Sequence, residues 1–203
     1  MTTNYEKLLL NNLDILYNNL PVNLDKRIPA IKKDRHFYFR AFGEDCCLGP
    51  EGITISGSPT NEIEGLLISL YAIHVGPDPV CLEPFKAFRD LPGSMPYQNA
   101  FTSNSERILI PYVSRIMEVQ DLILDSFDGQ TLPKGIKGDF SFIIYPLPKI
   151  ALCYIFYLSD EEFPASCTCL FSSNAHNFMP IDGLADVAEY TSKRIMRLID
   201  LSV

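Results

Sequence analysis

The chain has 203 residues, of which 47% are hydrophobic and 21% are charged, and its formal net charge at pH 7 is −8. This length suits one packed core better than two, so we expect a single globular domain over residues 1–203. The composition is that of ordinary soluble proteins and argues against disorder. The acidic excess argues against a nucleic-acid partner, because affinity for nucleic acids depends on clustered Lys and Arg.

The sequence also argues against a membrane protein. Its longest apolar stretches, such as residues 150–158, fall short of the roughly 20 residues that cross a bilayer. The first residues, MTTNYEKLLLNNLDIL, lack the basic segment and cleavage site of a secretory signal. We therefore expect a cytoplasmic protein without membrane association, in which the six cysteines are thiols.

The predicted elements begin with a helix from Asn4 to Leu20, where leucines recur at three- and four-residue spacing. Three short β-favouring stretches follow, HFYFRAFG, EDCCLGP and GITISG, and they predict a three-stranded meander. In its second strand, Cys46 and Cys47 are expected to point to opposite faces. A buried helix then begins after Asn61 and ends at Gly76-Pro77.

Segment 77–99 contains five prolines and predicts an irregular crossing. A capping box at Ser103–Glu106 predicts a helix that runs to about residue 125. Three further strands are predicted at DFSFIIYPLP, KIALCYIFYL and PASCTCLF, followed by an amphipathic helix from Asp182 to about Leu201. Together these elements predict an α+β fold: an antiparallel sheet of about five to six strands, with helices packed on at least one face.

The irregular segment supplies the sharpest candidate site. The aromatic residues Phe85, Phe88, Tyr97 and Phe101 could form an apolar wall around Arg89. Arginine beside aromatic rings is a common way to hold a planar anion, because guanidinium stacks on rings and donates paired hydrogen bonds. The alternative is that Arg89 forms an ion pair with Asp90 and only pins the segment.

The histidines and cysteines offer weaker candidates. His36 and His176 could each supply one axial nitrogen to the metal of a haem or a corrinoid, whereas His74 ends a helix and is expected to be structural. Cys167 and Cys169 share one strand face, but two sulfurs do not make a metal site, so we expect core residues.

The acidic triplet Asp160-Glu161-Glu162 lies between two predicted strands and favours a turn. The alternative is acid–base chemistry with His176, as in a hydrolase or a transferase, if one carboxylate were buried. The sequence contains no G-x-S-x-G, H-E-x-x-H, Walker A or Rossmann motif, nor the D-x-H-x-x-G signature of corrinoid domains.

Two stretches, FKAFRDLPGSMPYQNAF and PLPKIALCYIFYLSDEEFPASCTCLFSSNAHNFMPIDGLADV, resemble an uncharacterised prokaryotic family, domain of unknown function 3786. The resemblance covers most of the chain from about residue 36 to the end. It implies an anaerobic bacterial or archaeal setting, where corrinoid-dependent methyl transfer and tetrapyrrole handling are frequent, but no established activity. Some members carry cluster-binding cysteines that this sequence lacks.

We therefore expect a cytosolic protein that holds a planar anionic cofactor, such as a corrinoid or a haem, without catalysis. The alternatives are an accessory module that binds a protein partner or forms a homodimer, and a hydrolase or transferase that uses the acidic triplet.

Overall fold

The structure is a computed structural model that describes residues 3–131 and 138–201, so the predicted domain, 1–203, extends beyond the described residues. Its α-helices are α1 (Asn4–Asn18), α2 (Leu24–Arg27), α3 (Glu62–His74), α4 (Gln98–Phe101), α5 (Val113–Glu118), α6 (Gln120–Ser126) and α7 (Ile181–Leu201). Its strands are β1 (Ile31–Lys33), β2 (His36–Ala41), β3 (Glu44–Gly49), β4 (Gly52–Ile55), β5 (Ser58–Pro59), β6 (Lys86–Ala87), β7 (Gln130–Thr131), β8 (Phe140–Leu147), β9 (Ile150–Tyr157) and β10 (Ser166–Phe171).

The strands form two antiparallel sheets of five strands each, which confirms the predicted α+β class. The first sheet has the order β1-β2-β3-β4-β5, and the second has the order β6-β10-β9-β8-β7. The sequence predicted one sheet, whereas short turns pair most strands with their neighbours in the chain and keep the two halves separate. The Phe42 N–H joins the sheets by donating to the Pro146 carbonyl over 2.6 Å.

The first sheet contains the predicted meander as β2, β3 and β4. Its side chains alternate between the core and solvent: Phe37 and Phe39 are buried, and Tyr38 between them is exposed. Cys46 and Cys47 point to opposite faces as predicted, because Cys46 is buried and Cys47 is half-buried. The outer face of this sheet is therefore polar and open to solvent.

The second sheet contains the three predicted C-terminal strands as β8, β9 and β10. β9 is buried along most of its length. On the inner face, Cys167 and Cys169 are buried core residues, as predicted. On the outer face, Val80 and Leu82 of the proline-rich segment pack over a small cluster that includes Cys153. One face of this sheet therefore lies in the core, and the middle of the other face is covered by the proline-rich segment.

Helices α3 and α7 pack against each other inside one core cluster that includes both sheets. Gly183 permits this contact, since a β-carbon there would lie 2.8 Å from Leu70 Cδ2. The capping box of α3 is confirmed: Asn61 Oδ1 accepts the Glu64 N–H over 2.9 Å, and Glu64 Oε2 accepts the Asn61 N–H over 3.2 Å. Within residues 3–131 and 138–201, no helix combines the length and the apolar character that a membrane span needs.

The helix predicted from Ser103 begins earlier and is interrupted. It begins with α4, continues as a π-helix over Thr102–Glu106 and a 3-10 helix over Arg107–Tyr112, and ends with α5 and α6. The predicted capping box is wrong, because Glu106 Oε1 instead accepts the Cys169 N–H of β10 over 3.0 Å. A tertiary hydrogen bond to a strand edge has replaced the local one.

Candidate functional site

The aromatic residues predicted to line a ligand site do not form an open wall. Phe88 and Phe101 are only 1% and 2% exposed. Their rings stack with centroids 4.4 Å apart, and each lies within 5.8 Å of the Phe171 ring. These two rings therefore lie in the core and not on an open wall, because stacked rings gain more by leaving water than by lining a surface loop.

The remaining predicted residues of this segment are not gathered around a guanidinium. Phe85 packs on the outer face of the second sheet, and Tyr97 is 39% exposed. The Arg89 side chain is largely exposed, and its Nε lies 3.9 Å from Asp90 Oδ1. The structure therefore contains the Arg89–Asp90 pair that the sequence offered as the alternative, in a solvated and loose form that contributes little stability.

The two histidines predicted as axial ligands lie at different sheets, because His36 begins β2 and His176 follows β10. His36 Nε2 lies 2.6 Å from Glu51 Oε1 on the first sheet, so one ring nitrogen is already engaged. His176 is exposed in the 3-10 turn Ala175–Asn177 after β10. His74 also has a structural contact, between Nδ1 and the Leu70 carbonyl at 2.9 Å.

The acidic triplet forms the predicted turn. Asp160 Oδ1 accepts the N–H groups of Glu162 and Phe163 over 2.8 and 2.7 Å, and these two hydrogen bonds lower the pKa of the Asp160 carboxyl. All three acidic residues are exposed. The six-residue strand β10 separates them from His176 by roughly 20 Å along the sheet, so the triplet and this histidine do not form an acid–base pair.

A better candidate site is a groove between α1, α3 and α7, which we call the helix groove. Its volume is about 420 Å³, within the range of sites that hold small ligands. Its apolar lining consists of Tyr5, Ile63, Leu66 and Leu67. Its polar lining consists of Asp186, Glu189, Tyr190, Lys193 and Arg197.

The contacts between the helices fix the two ends of the helix groove. Leu9 contacts α3 at Gly65, where a β-carbon would lie 2.9 Å from Leu9 Cδ2, and Asn12 Nδ2 donates to Ser69 Oγ over 3.0 Å. Helices α1 and α3 therefore run in the same direction. Helix α7 runs the opposite way, because Tyr190 meets the start of α3 and Gly183 meets its end. Tyr5, Ile63 and Arg197 thus share one end of the groove.

The floor of the helix groove contains a buried polar group. Tyr190 Oη donates a short hydrogen bond to Glu64 Oε1 and accepts one from Asn61 Nδ2 over 3.3 Å. Tyr190 and Glu64 are 6% and 8% exposed. Burial, together with the hydrogen bond to Glu64, raises the pKa of Tyr190 to about 12. The phenol therefore stays protonated at neutral pH and holds α7 against α3.

The rim of the groove is charged and runs along one side of α7. Lys193 Nζ lies 2.5 Å from Glu189 Oε1, so these charges neutralise each other. Burial, with the nearby charges of Glu189 and Asp182, raises the pKa of the Asp186 carboxyl. Within the part of the chain that the structure describes, Arg197 has no ion-pair partner. Eleven residues, or about 16 Å of helix, separate Arg197 from Asp186.

This arrangement can bind an elongated amphipathic molecule. Tyr5 and Ile63 are 51% and 49% exposed, so they present apolar surface at one end of the groove. Sequence reasoning missed the site because Ile63, Leu66 and Leu67 have the spacing of ordinary core residues. The signal that could have found it is the helical spacing of Asp186, Glu189, Lys193 and Arg197, whose line borders those residues only in the folded chain.

A protein-family model matches most of the chain. The family model described as "Domain of unknown function (DUF3786)" matches residues 21–194. This range includes α3 and most of the α7 rim but excludes α1 and Arg197. Searches of curated proteins and of solved structures found no match.

Proposed function

The chain belongs to the family of domain of unknown function DUF3786, and we propose that it binds a small amphipathic anion in the helix groove. The observation that carries the proposal is Arg197, which is without an ion-pair partner among residues 3–131 and 138–201 and shares its end of the groove with Tyr5 and Ile63. An anionic group would contact the guanidinium, and the apolar body of the ligand would cover the two exposed side chains.

Charge and burial both favour a ligand whose anionic group lies at Arg197 and whose apolar body lies along the groove. Lys193 is already neutralised by Glu189, so Arg197 is the rim cation that can pair with a ligand. Leu66 and Leu67 extend the apolar surface toward Asp186 at the other end. Removing Tyr5, Ile63 and Leu66 from water would contribute most of the affinity, and the charged contact would contribute orientation.

Of the planar cofactors expected from the sequence, a haem has the chemistry of this class, whereas a corrinoid is too large and too rich in amide groups. A haem combines a flat apolar ring with two carboxylates, so one carboxylate could contact Arg197 while the ring covers Tyr5. Ligation of its metal is not part of the proposal, because the groove lining includes neither His36 nor His176.

The test is a titration with two anions of known structure, 8-anilinonaphthalene-1-sulfonate by fluorescence and haemin by absorbance. Arg197→Gln should weaken binding about tenfold, because a hydrogen bond to a charged group contributes on the order of 1.5–3 kcal/mol. The matched control is Arg89→Gln, which removes an exposed arginine from the originally predicted segment and should leave both affinities unchanged. The same pair of titrations on Ile63→Asp should show no binding, with Phe163→Asp as its exposed apolar control.

The controls also define failure. If Arg89→Gln weakened binding and Arg197→Gln did not, the site would lie at the proline-rich segment instead. If no anion bound, or if all four variants bound as the unchanged protein does, the proposal would be overturned. A mass spectrum of protein purified without oxygen would show whether a natural ligand is retained.

A protein partner or a second copy of the chain is the second candidate. The observation that favours it is a set of half-exposed apolar residues on α1, Tyr5, Leu8 and Ile15, which continues from the groove end. In that case the anions would not bind, and light scattering coupled to gel filtration would show a mass that falls in Ile63→Asp.

A further inference from the structure

The outer face of the first sheet carries a group of reactive side chains apart from the helix groove. It consists of His36, Tyr38, Cys47 and Glu51, which we call the open-face cluster. Tyr38 of β2 and Cys47 of β3 are directly opposed across the antiparallel ladder. Both point to solvent, because their neighbours on either side along each strand face the core. A thiol, a phenol and an imidazole thus share one exposed surface.

His36 is oriented by a carboxylate. Its Nε2 lies 2.6 Å from Glu51 Oε1 in the turn between β3 and β4. The ring lies across Gly49, where a β-carbon would be 2.7 Å from His36 Cδ2. Only glycine leaves room for the imidazole at this position. Because Gly49 is two residues from Cys47 on the same strand face, His36 and Cys47 occupy diagonal positions on this face.

Cys47 is accessible and already interacts with a neighbour. Its side chain is half-buried. The interaction with Cys47 is the largest cause that raises the pKa of the Tyr38 phenol. Beyond the cluster, a β-carbon on Gly52 would meet no described atom within 4 Å. Gly52 pairs with Gly49, so this open space borders the imidazole, and the half-buried thiol lies two residues away along β3.

We propose that the open-face cluster is a nucleophilic thiol site, in which Cys47 attacks small electrophiles and His36, oriented by Glu51, takes the thiol proton. With a disulfide as electrophile, the Cys47 sulfur attacks one disulfide sulfur and forms a mixed disulfide. The bond between the two sulfurs of the reagent breaks, and its leaving thiolate receives the proton from His36 or water. A thiol, a base and a carboxylate that orients the base are the parts that nucleophilic catalysis uses.

The chain contains its own controls for this proposal. Cys81 is the more exposed thiol, so exposure alone predicts that Cys81 reacts first. Cys46, Cys153, Cys167 and Cys169 are buried and should not react in the folded protein. Their protection reports that a variant is still folded. The open-face cluster predicts the reverse of the exposure order, with Cys47 ahead of Cys81.

The experiment is a stopped-flow reaction of the full chain with 4,4′-dithiodipyridine, with the modified peptides identified by mass spectrometry. Cys47 should react about tenfold faster than Cys81. This is a small part of the rate increase that a positioned general base gives in enzymes. Comparison of Cys47→Ser with Cys81→Ser assigns the fast phase. His36→Gln should remove most of the difference, and Glu51→Gln should give a smaller loss because the imidazole remains.

Two results would overturn the proposal. One is a Cys47 rate no higher than that of Cys81 in the unchanged protein. The other is an unchanged fast phase in His36→Gln, with the four buried thiols still protected, which would show that the histidine takes no part. If His36→Gln exposes the buried thiols, that variant has unfolded. The proposal is then overturned if Glu51→Gln, with its buried thiols still protected, leaves the fast phase unchanged.

Discussion

The two sheets bury their residues differently. The first sheet has one face in the core and one face in water, so aromatic Phe37 and Phe39 are hidden while Tyr38 between them is exposed. The second sheet has one face in the core and the middle of the other face covered. Tyr154 and Phe156 of β9 are therefore fully buried on the inner face, and Cys153 is fully buried on the outer face. The same residue types are therefore structural in one sheet and available for chemistry in the other.

The cover on the second sheet is the proline-rich segment, which the sequence had suggested as a ligand site. Lys149, only 5% exposed, fixes the beginning of this segment. Its Nζ donates to the carbonyls of Gly76 and Asp78 over 3.0 and 2.7 Å and lies 5.2 Å from the Phe178 ring centroid. The part that covers the sheet contains Pro77, Pro79 and Pro84, and we call it the lid.

The largest expected effect on stability comes from removing an aromatic ring that packs against the inner face of the second sheet. Phe88→Ala should lower the free energy of unfolding by about 3–5 kcal/mol, because the stacked ring leaves a cavity against Phe101 and Phe171. Tyr38→Ala, on the open face of the first sheet, should cost only about 0.2–1 kcal/mol. Urea unfolding followed by circular dichroism measures both values.

The test is the difference between the losses of unfolding free energy in Phe88→Ala and Tyr38→Ala. Equal losses would show that Phe88 is not a core residue and would reopen the predicted aromatic wall. Losses that differ by several kcal/mol would confirm the assignment of Phe88 to the core.

The sequence predicted the elements better than their arrangement. The meander and the three C-terminal strands were found because hydrophobic alternation and turn residues are local signals. The interruption of the helix after Ser103 was missed, because Glu106 is used by a strand 63 residues away. The single predicted sheet became two for a similar reason, since turn signals pair neighbouring strands but do not state whether the two groups of paired strands join.

The candidate sites show the same division. The sequence suggested Phe88 and Phe101 as lining residues because a proline-rich segment is usually exposed. In the folded chain this segment lies against the core, and both rings are buried there. Cys47 was correctly placed on the face opposite Cys46 by strand geometry alone. Its partners His36 and Glu51 could not be assigned, because their proximity follows from the register of β2 against β3.

An intermediate effect is expected from the buried lysine that holds the lid. Lys149→Met keeps the length of the side chain but leaves the Gly76 and Asp78 carbonyls without their donor. The expected cost is about 1–3 kcal/mol in the free energy of unfolding. Hydrogen exchange over segment 77–85 should also speed up, while β2 and β3 remain protected. Faster exchange in both regions would mean that Lys149 supports the whole core and not this lid.

The smallest expected effect concerns the open edge of β10, where Glu106 contacts the strand. Burial raises the pKa of Glu106 above the usual value of 4.5, although the hydrogen bond from the Cys169 N–H opposes this shift. Between pH 4.5 and the folded-state pKa, the folded protein holds more protons than the unfolded chain. Stability contributed by this group is therefore present at low pH and is lost as the pH rises through that window.

Glu106→Gln tests this linkage because glutamine keeps an oxygen for the Cys169 N–H and cannot ionise. Urea unfolding between about pH 4.5 and pH 8 should show a flatter decline in stability for the variant. At neutral pH the variant should be equal to or slightly more stable than the unchanged protein, by less than about 1 kcal/mol. The control Glu161→Gln, in the exposed acidic turn, should not change the slope. If Glu106→Gln were less stable at neutral pH and had the same slope, the carboxylate would be stabilising β10 as an anion, and this strand edge would need its charge.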